Sequence, residues 1–175
     1  MRHLFLIAVL LAAQAAAAAE PGMGTGGCED YTWNMKRELF LVGAGKLSYT
    51  ALPERTEEAH FTPLDRPLQV ALRPASEVKL LAEPGRSHEA GASYAGLMRL
   101  VAPRTSTYRI SSDQRLWIDV IGPEGVVKSS KFVMQTGCEK LVKSVAFRLE
   151  PDTAYWIQVT GSPVREPMLL ITLDR

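Results

Sequence analysis

From Leu68 onward, apolar residues recur at every second position. LQVAL places Leu68, Val70 and Leu72 on one face. RLWIDVI places Leu116, Ile118 and Val120 on one face and Trp117, Asp119 and Ile121 on the other. SVAFRLE turns Val145, Phe147 and Leu149 the same way, AYWIQVT turns Tyr155, Ile157 and Val159, and MLLITLD turns Leu169, Ile171 and Leu173. YRI at 108–110 is a shorter piece of the same kind. A period of two marks strands with one buried face. Turn-forming pairs separate these runs: Ala75-Ser76, Pro84-Gly85, Ser112-Asp113, Gly122 to Gly125, Pro151-Asp152 and Gly161 to Pro163. No helical pattern lies between them. The pattern predicts an all-β fold, an antiparallel sandwich of about seven to nine strands, jelly-roll-like or Greek key.

Upstream the period changes. Asp30 precedes YTWNMKRELFLVGAG, in which Trp33, Arg37, Phe40 and Leu41 share a side at helical spacing. With Asp30 as N-cap and Gly43 or Gly45 as stop, this predicts one short helix over 31–41, with Trp33 and Phe40 packed down. EPGMGTGG, residues 20–27, reads as a flexible leader. LSYTALPERTEEAHFTPLDRP, residues 47–67, reads as a long surface connection with room for one extended piece.

The first residues set the compartment. MRHLFLIAVLLAAQAAAAAE has a short basic start, an apolar run and small residues before Glu20. That is the layout of a secretory signal peptide, with cleavage expected after Ala19 or the neighbouring Ala17 or Ala18. The apolar run is too short for a membrane span, so no transmembrane segment is expected after cleavage. The expected division is a signal peptide over 1–19, a leader and short helix over 20–50, and a sandwich domain over 51–175. Export makes the location periplasmic or secreted. The full chain carries 20 Lys plus Arg against 19 Asp plus Glu, a balance that gives no electrostatic case for nucleic acid as a partner.

In an oxidising compartment the two cysteines, Cys28 and Cys138, read most simply as a disulfide. The other reading keeps Cys138 free, its thiolate favoured by Lys140 and Lys143. For metals, the histidines that survive cleavage are His60, near Glu57 and Glu58, and His88, beside Glu89. Two His and a carboxylate would suit non-haem iron, but the spacing does not specify such a site, and both histidines lie in turn-rich stretches. There is no G-x-S-x-G elbow, and GMGTGG follows no strand. No catalytic residue, metal site or cofactor is expected. One constellation remains: Trp117 and Asp119 on the outer face of their strand, with Lys143, Arg148, Trp156 and Gln158 expected at outward positions on later strands. Two indoles among mixed charges could stack on a sugar or anchor a partner protein. Alternatively, the helix or a long loop covers the indoles, with Asp119 paired to a basic neighbour.

TYRI, RLWIDVI, the run from Cys138 through Lys143, Val145, Phe147 and Leu149, and AYWIQVTG together resemble a group of small exported proteobacterial proteins. SYAGLMRLVAP at 93–103 fits less specifically, and the resemblance spans roughly residues 68–175. The strand pattern also looks like the β-sandwich domains found after secreted peptidase domains. Members of the small group are often labelled homogentisate 1,2-dioxygenase. That label implies a mononuclear iron with His and Glu ligands, which here would fall on His60 and His88. The leading expectation is a non-enzymatic exported binding or accessory module with a protein or glycan partner. The alternatives are a small metal-dependent oxygenase, and a carbohydrate-binding module using Trp117 and Trp156.

Overall fold

The computed structural model describes residues 22–85 and 93–174. The expected signal peptide and His88 lie outside these residues. Twelve strands form among the described residues. They are β1 Met23–Gly24, β2 Leu47–Thr50, β3 Leu68–Ala71, β4 Arg73–Pro74, β5 Tyr94–Val101 and β6 Ser106–Ser112, then β7 Trp117–Gly122, β8 Gly125–Val127, β9 Ser129–Gln135, β10 Lys143–Leu149, β11 Ala154–Ser162 and β12 Met168–Leu173. They make a seven-stranded sheet in the order β1-β9-β10-β6-β12-β3-β2 and a five-stranded sheet in the order β4-β5-β11-β7-β8.

The alternation explains the packing. Leu68, Val70, Tyr108, Ile110, Val145, Phe147, Leu149, Leu169 and Ile171 of the larger sheet meet Met98, Leu100, Ile118, Val120, Tyr155, Ile157 and Val159 of the smaller one in a single core. The fold is therefore an all-β sandwich. Each fully buried side chain of this size contributes about 1.5–3 kcal/mol on leaving water. Tyr108 keeps its polar end satisfied by donating to the Arg104 carbonyl at 2.8 Å. On β11, Gly161 adopts φ 65° where the pairing with β5 shifts register between Val159 and Ser162, a conformation that favours glycine.

Both outer faces are covered. Residues 28–42 lie over the larger sheet, where Tyr31 and Met35 pack on Val133, Leu141, Met168 and Leu170. Residues 52–62 and 75–82, on either side of β3 and β4, lie over the smaller sheet, where Ala59 and Val78 pack with Ala95, Leu97, Ile121 and Trp156. Leu52 exchanges both backbone hydrogen bonds with Leu97 at 2.9 Å. The chain thus runs from β2, in one sheet, directly onto β5, in the other. Among the described residues no helix is long and apolar enough to cross a membrane.

The N-terminal region differs from expectation in two ways. The helix expected over 31–41 is not supported: only a six-residue turn of helix forms, Lys36–Leu41 (α1). Asp30 does not cap it. Its carboxylate accepts from the Gly27 amide at 2.7 Å, and Met35 takes the N-cap place without a side-chain bond. Trp33 precedes the helix, and Phe40 is 80% exposed rather than packed down. Met35 and Tyr31 fill the sheet face instead, so the contact follows an extended strap rather than a helical stripe. The leader, expected as free coil, also finds partners. β1 pairs in parallel with β9, and Gly26 and Gly137 continue the contact through Gly137 N–H to Gly26 O at 3.1 Å. The Gln135 side chain accepts from Gly26 N–H and donates to the Asp30 carbonyl.

Candidate functional site

The disulfide decides the chemistry of Cys138. Cys28 and Cys138 are bonded, and no free cysteine exists among the described residues. Cys138 is fully buried beneath the strap. The reactive-thiol reading is thereby removed.

On the outer face of β7, Trp117 and Asp119 stand two residues apart. Trp117 Nε1 donates to Asp119 Oδ1 at 2.9 Å. Gln158, opposite Asp119 on β11, donates from Nε2 to Asp119 Oδ2 at 3.5 Å. The same amide clamps the covering segment: Gln158 Oε1 accepts from Leu81 N–H and Ala82 N–H, and Nε2 donates to the Ala82 carbonyl. Gly85 lies against the indole, where a Cβ would come within 2.9 Å of Trp117 Cζ2. Burial pushes the Asp119 carboxyl above its ordinary pKa. Hydrogen bonds from Trp117, Gln158 and the Gly85 backbone, and the charge of Lys143, oppose that rise. The group holds a loop onto a sheet, and its polar atoms face one another.

Lys143 differs from its expected outward placement. It shares the parity of Val145, Phe147 and Leu149, so the pleat turns it toward the sandwich interior. From there Nζ donates to the Leu116 carbonyl at 3.0 Å and lies 4.7 Å from the centre of the Trp117 ring. Arg148 is exposed, but β10 belongs to the larger sheet while Trp117, Trp156 and Gln158 stand on the smaller one. Trp156 points outward as expected, yet only 4% of it is exposed beneath the covering residues 52–62 and 75–82. The structure therefore joins Trp117, Asp119, Lys143 and Gln158, and leaves Arg148 apart. His60 is exposed, and its carbonyl accepts from the Tyr49 hydroxyl at 3.1 Å. Among the described residues no group of three or more His, Cys, Asp or Glu could hold a metal ion.

A concave feature lies at the other end of the same face. A cleft of about 300 Å³ opens between the 52–62 part of the covering segment and the ends of β7 and β11. Ile121, Pro123 and Trp156 supply its apolar lining, and Arg55, Asp152 and Thr153 its polar groups. Asp152 sits at φ 54° in the turn between β10 and β11, and Asp152 N–H donates to the Ala102 carbonyl at 3.1 Å. Thr153 Oγ1 donates to the Pro151 carbonyl at 3.0 Å. Of these residues, sequence reasoning picked out only Trp156 as a candidate for binding. Arg55 and the Asp152 turn fall outside any strand, where periodicity carries no signal. The Pro151-Asp152 turn was legible as a turn, not as a wall.

No protein-family model, curated protein or solved structure matches the chain.

Proposed function

We propose that this chain is an exported, non-enzymatic binding or accessory module that takes a small ligand in the Trp156 cleft. The cleft is the observation that carries the reading. It combines an apolar wall with a few polar groups, at the small end of the roughly 300–1,000 Å³ usual for ligand sites. The disulfide fits an oxidising compartment, and the signal-peptide pattern at 1–19 fits export. The best-connected polar cluster, around Asp119, is spent on holding a loop. This supports the cleft as the place for recognition.

The test is a panel of metabolites, glycans and short peptides added to isotope-labelled protein. The indole signal of Trp156 is followed by NMR. A saturable shift for one class, lost on an Arg55 substitution, supports the reading. A turnover abolished by one point substitution would sink the non-enzymatic part. A silent Trp156 across the panel would sink the cleft. The mass of the protein from the periplasm, matching the chain without residues 1–19, tests export separately.

The glycan alternative is less favoured by Trp156 itself. Stacking on a sugar needs an open indole face, and that ring is almost wholly covered.

A further inference from the structure

We propose that the cleft takes a small zwitterion, an α-amino acid with an apolar side chain. This rests on the binding reading above and names its ligand class. Three observations carry it. First, the cleft holds one cation and one anion from separate parts of the chain: Arg55 from the covering segment and Asp152 from the β10–β11 turn. Second, these two do not neutralise each other. Among the described residues, the ion pairs within 4.0 Å join Arg37 to Asp65, Arg73 to Glu77, and Arg109 to Glu38 and Asp174; none involves Arg55 or Asp152. Third, Thr153, next to Asp152 in the lining, gives its hydroxyl proton to the Pro151 carbonyl, so its oxygen remains an acceptor.

The chemistry follows from the donors and acceptors. Asp152 and Thr153, neighbours in the chain, supply acceptors suited to an ammonium group. Arg55 offers a planar fork of N–H donors that matches a carboxylate. Pro123, Ile121 and the small part of Trp156 left exposed give an apolar wall for a side chain. A ligand with both charges satisfies both ends, whereas a ligand with one leaves the other end unmatched. The volume suits a single amino acid better than a long peptide.

The experiment is calorimetry on the purified, oxidised protein with L-leucine and L-phenylalanine. The comparison compounds are N-acetyl-L-leucine, which lacks the ammonium, L-leucinamide, which lacks the carboxylate, and glucose. Each single-charge analogue is expected to bind at least about tenfold more weakly than leucine. Arg55→Gln should weaken leucine but leave leucinamide unchanged. Asp152→Asn should weaken leucine but leave N-acetyl-leucine unchanged. Both residues are exposed, and Asn tolerates the left-handed conformation at 152, so neither variant should lose its fold. Should either lose it, the analogue series on the unaltered protein still decides. Equal affinity for leucine and N-acetyl-leucine overturns the zwitterion assignment. So does glucose binding that responds to Arg55→Gln, although the binding reading would then stand. No heat with either amino acid at millimolar concentration also overturns it, and the wider panel then judges the cleft.

Discussion

Trp117 Nε1 and Asp119 Oδ1 lie 2.9 Å apart, two positions along one strand and on the same outer face. This contact turns a buried carboxylate into a tether. Asp119 is held by the indole, by Gln158 and by the Gly85 backbone, and Gln158 in turn grips Leu81 and Ala82. A network of this kind specifies one loop position, and its members are costly to leave half satisfied.

Its pH dependence follows. Burial raises the Asp119 pKa in the folded protein. The folded state therefore holds the proton more strongly than the unfolded chain. The favourable contribution is full below the ordinary Asp pKa and is lost as pH rises through the raised one. Asp119→Asn removes that dependence. Urea unfolding from about pH 4 to about pH 7 should show the variant gaining on the wild type as pH rises. Asp113, whose pKa burial also raises, contributes equally to both curves. A constant difference across the range would contradict the assignment.

The disulfide joins residues 110 apart and fastens the 28–42 strap to the loop after β9. Loop-closure entropy sets the gain at roughly 4–5 kcal/mol, with real bridges often giving less. Replacing both cysteines with alanine should lower the melting temperature by roughly 10 °C and leave the strand signature of circular dichroism intact. Amide exchange should rise first at residues 22–42. Equal melting temperatures for the two forms would remove the staple from the account.

The sandwich was legible because several strands alternate an apolar set that faces the shared core with a more mixed set that faces outward, under the covering segments. Leu116, Ile118 and Val120 alternate with Trp117, Asp119 and Ile121, and the structure sends the two sets to opposite sides. The same rule, applied with the parity of Val145, would have turned Lys143 inward. Other strands were hidden for physical reasons. β5 is buried on both faces, with Met98 and Leu100 inside and Ala95 and Leu97 under the covering segment, so it shows no alternation. β9 begins with the exposed Ser129, Ser130 and Lys131, and β1 is two residues long, too short to show a period. The helix failed because Trp33 and Phe40 supplied a helical period without a surface for both to reach. The cleft depends on Arg55 and Asp152 meeting across the fold, a long-range consequence with no local pattern.

Tyr31 reports on the same strap. Its hydroxyl donates to the Leu141 carbonyl, and burial pushes its pKa from 10.0 to about 12. Below pH 10 both folded and unfolded forms are neutral, and the contribution to stability is complete. Between pH 10 and about 12 the unfolded chain ionises first, so stability is lost as pH rises. Tyr31→Phe should cost about 1 kcal/mol at neutral pH through the lost hydrogen bond. It should also flatten the alkaline fall measured by chemical denaturation. Tyr108, also raised by burial, remains in both proteins and cancels in the difference. Parallel alkaline limbs would show that Tyr31 does not ionise in this range.

Beneath α1, Glu38 is a buried carboxylate. Its Oε1 accepts from the Thr172 hydroxyl at 2.6 Å and lies 3.5 Å from Arg109, while Oε2 has no hydrogen-bond partner among the described residues. Arg109 has further acceptors, Asp174 at 2.7 Å and the Asn34 carbonyl at 3.0 Å. The two truncations should therefore differ. Arg109→Met strands a buried charge and should cost about 3–5 kcal/mol. Glu38→Met should cost less, because Arg109 keeps two partners. The double variant should be more stable than Arg109→Met alone. Additive losses in the double-mutant cycle would mean that the pair is not coupled.

Met35 and Phe40 invert the usual ranking of an aromatic over a thioether. Met35 is 2% exposed against the larger sheet, whereas Phe40 is 80% exposed. Met35→Ala removes a packed side chain from beneath the strap and should cost about 2–5 kcal/mol. Phe40→Ser removes a ring that water already surrounds, and should change stability by no more than about 0.5 kcal/mol. The strap then owes its hold on the sheet to Met35, Tyr31 and the disulfide rather than to an amphipathic helix. Urea midpoints for the two variants decide this. A Phe40→Ser loss as large as that of Met35→Ala would mean that Phe40 packs in solution and that the helix extends as its sequence period suggested.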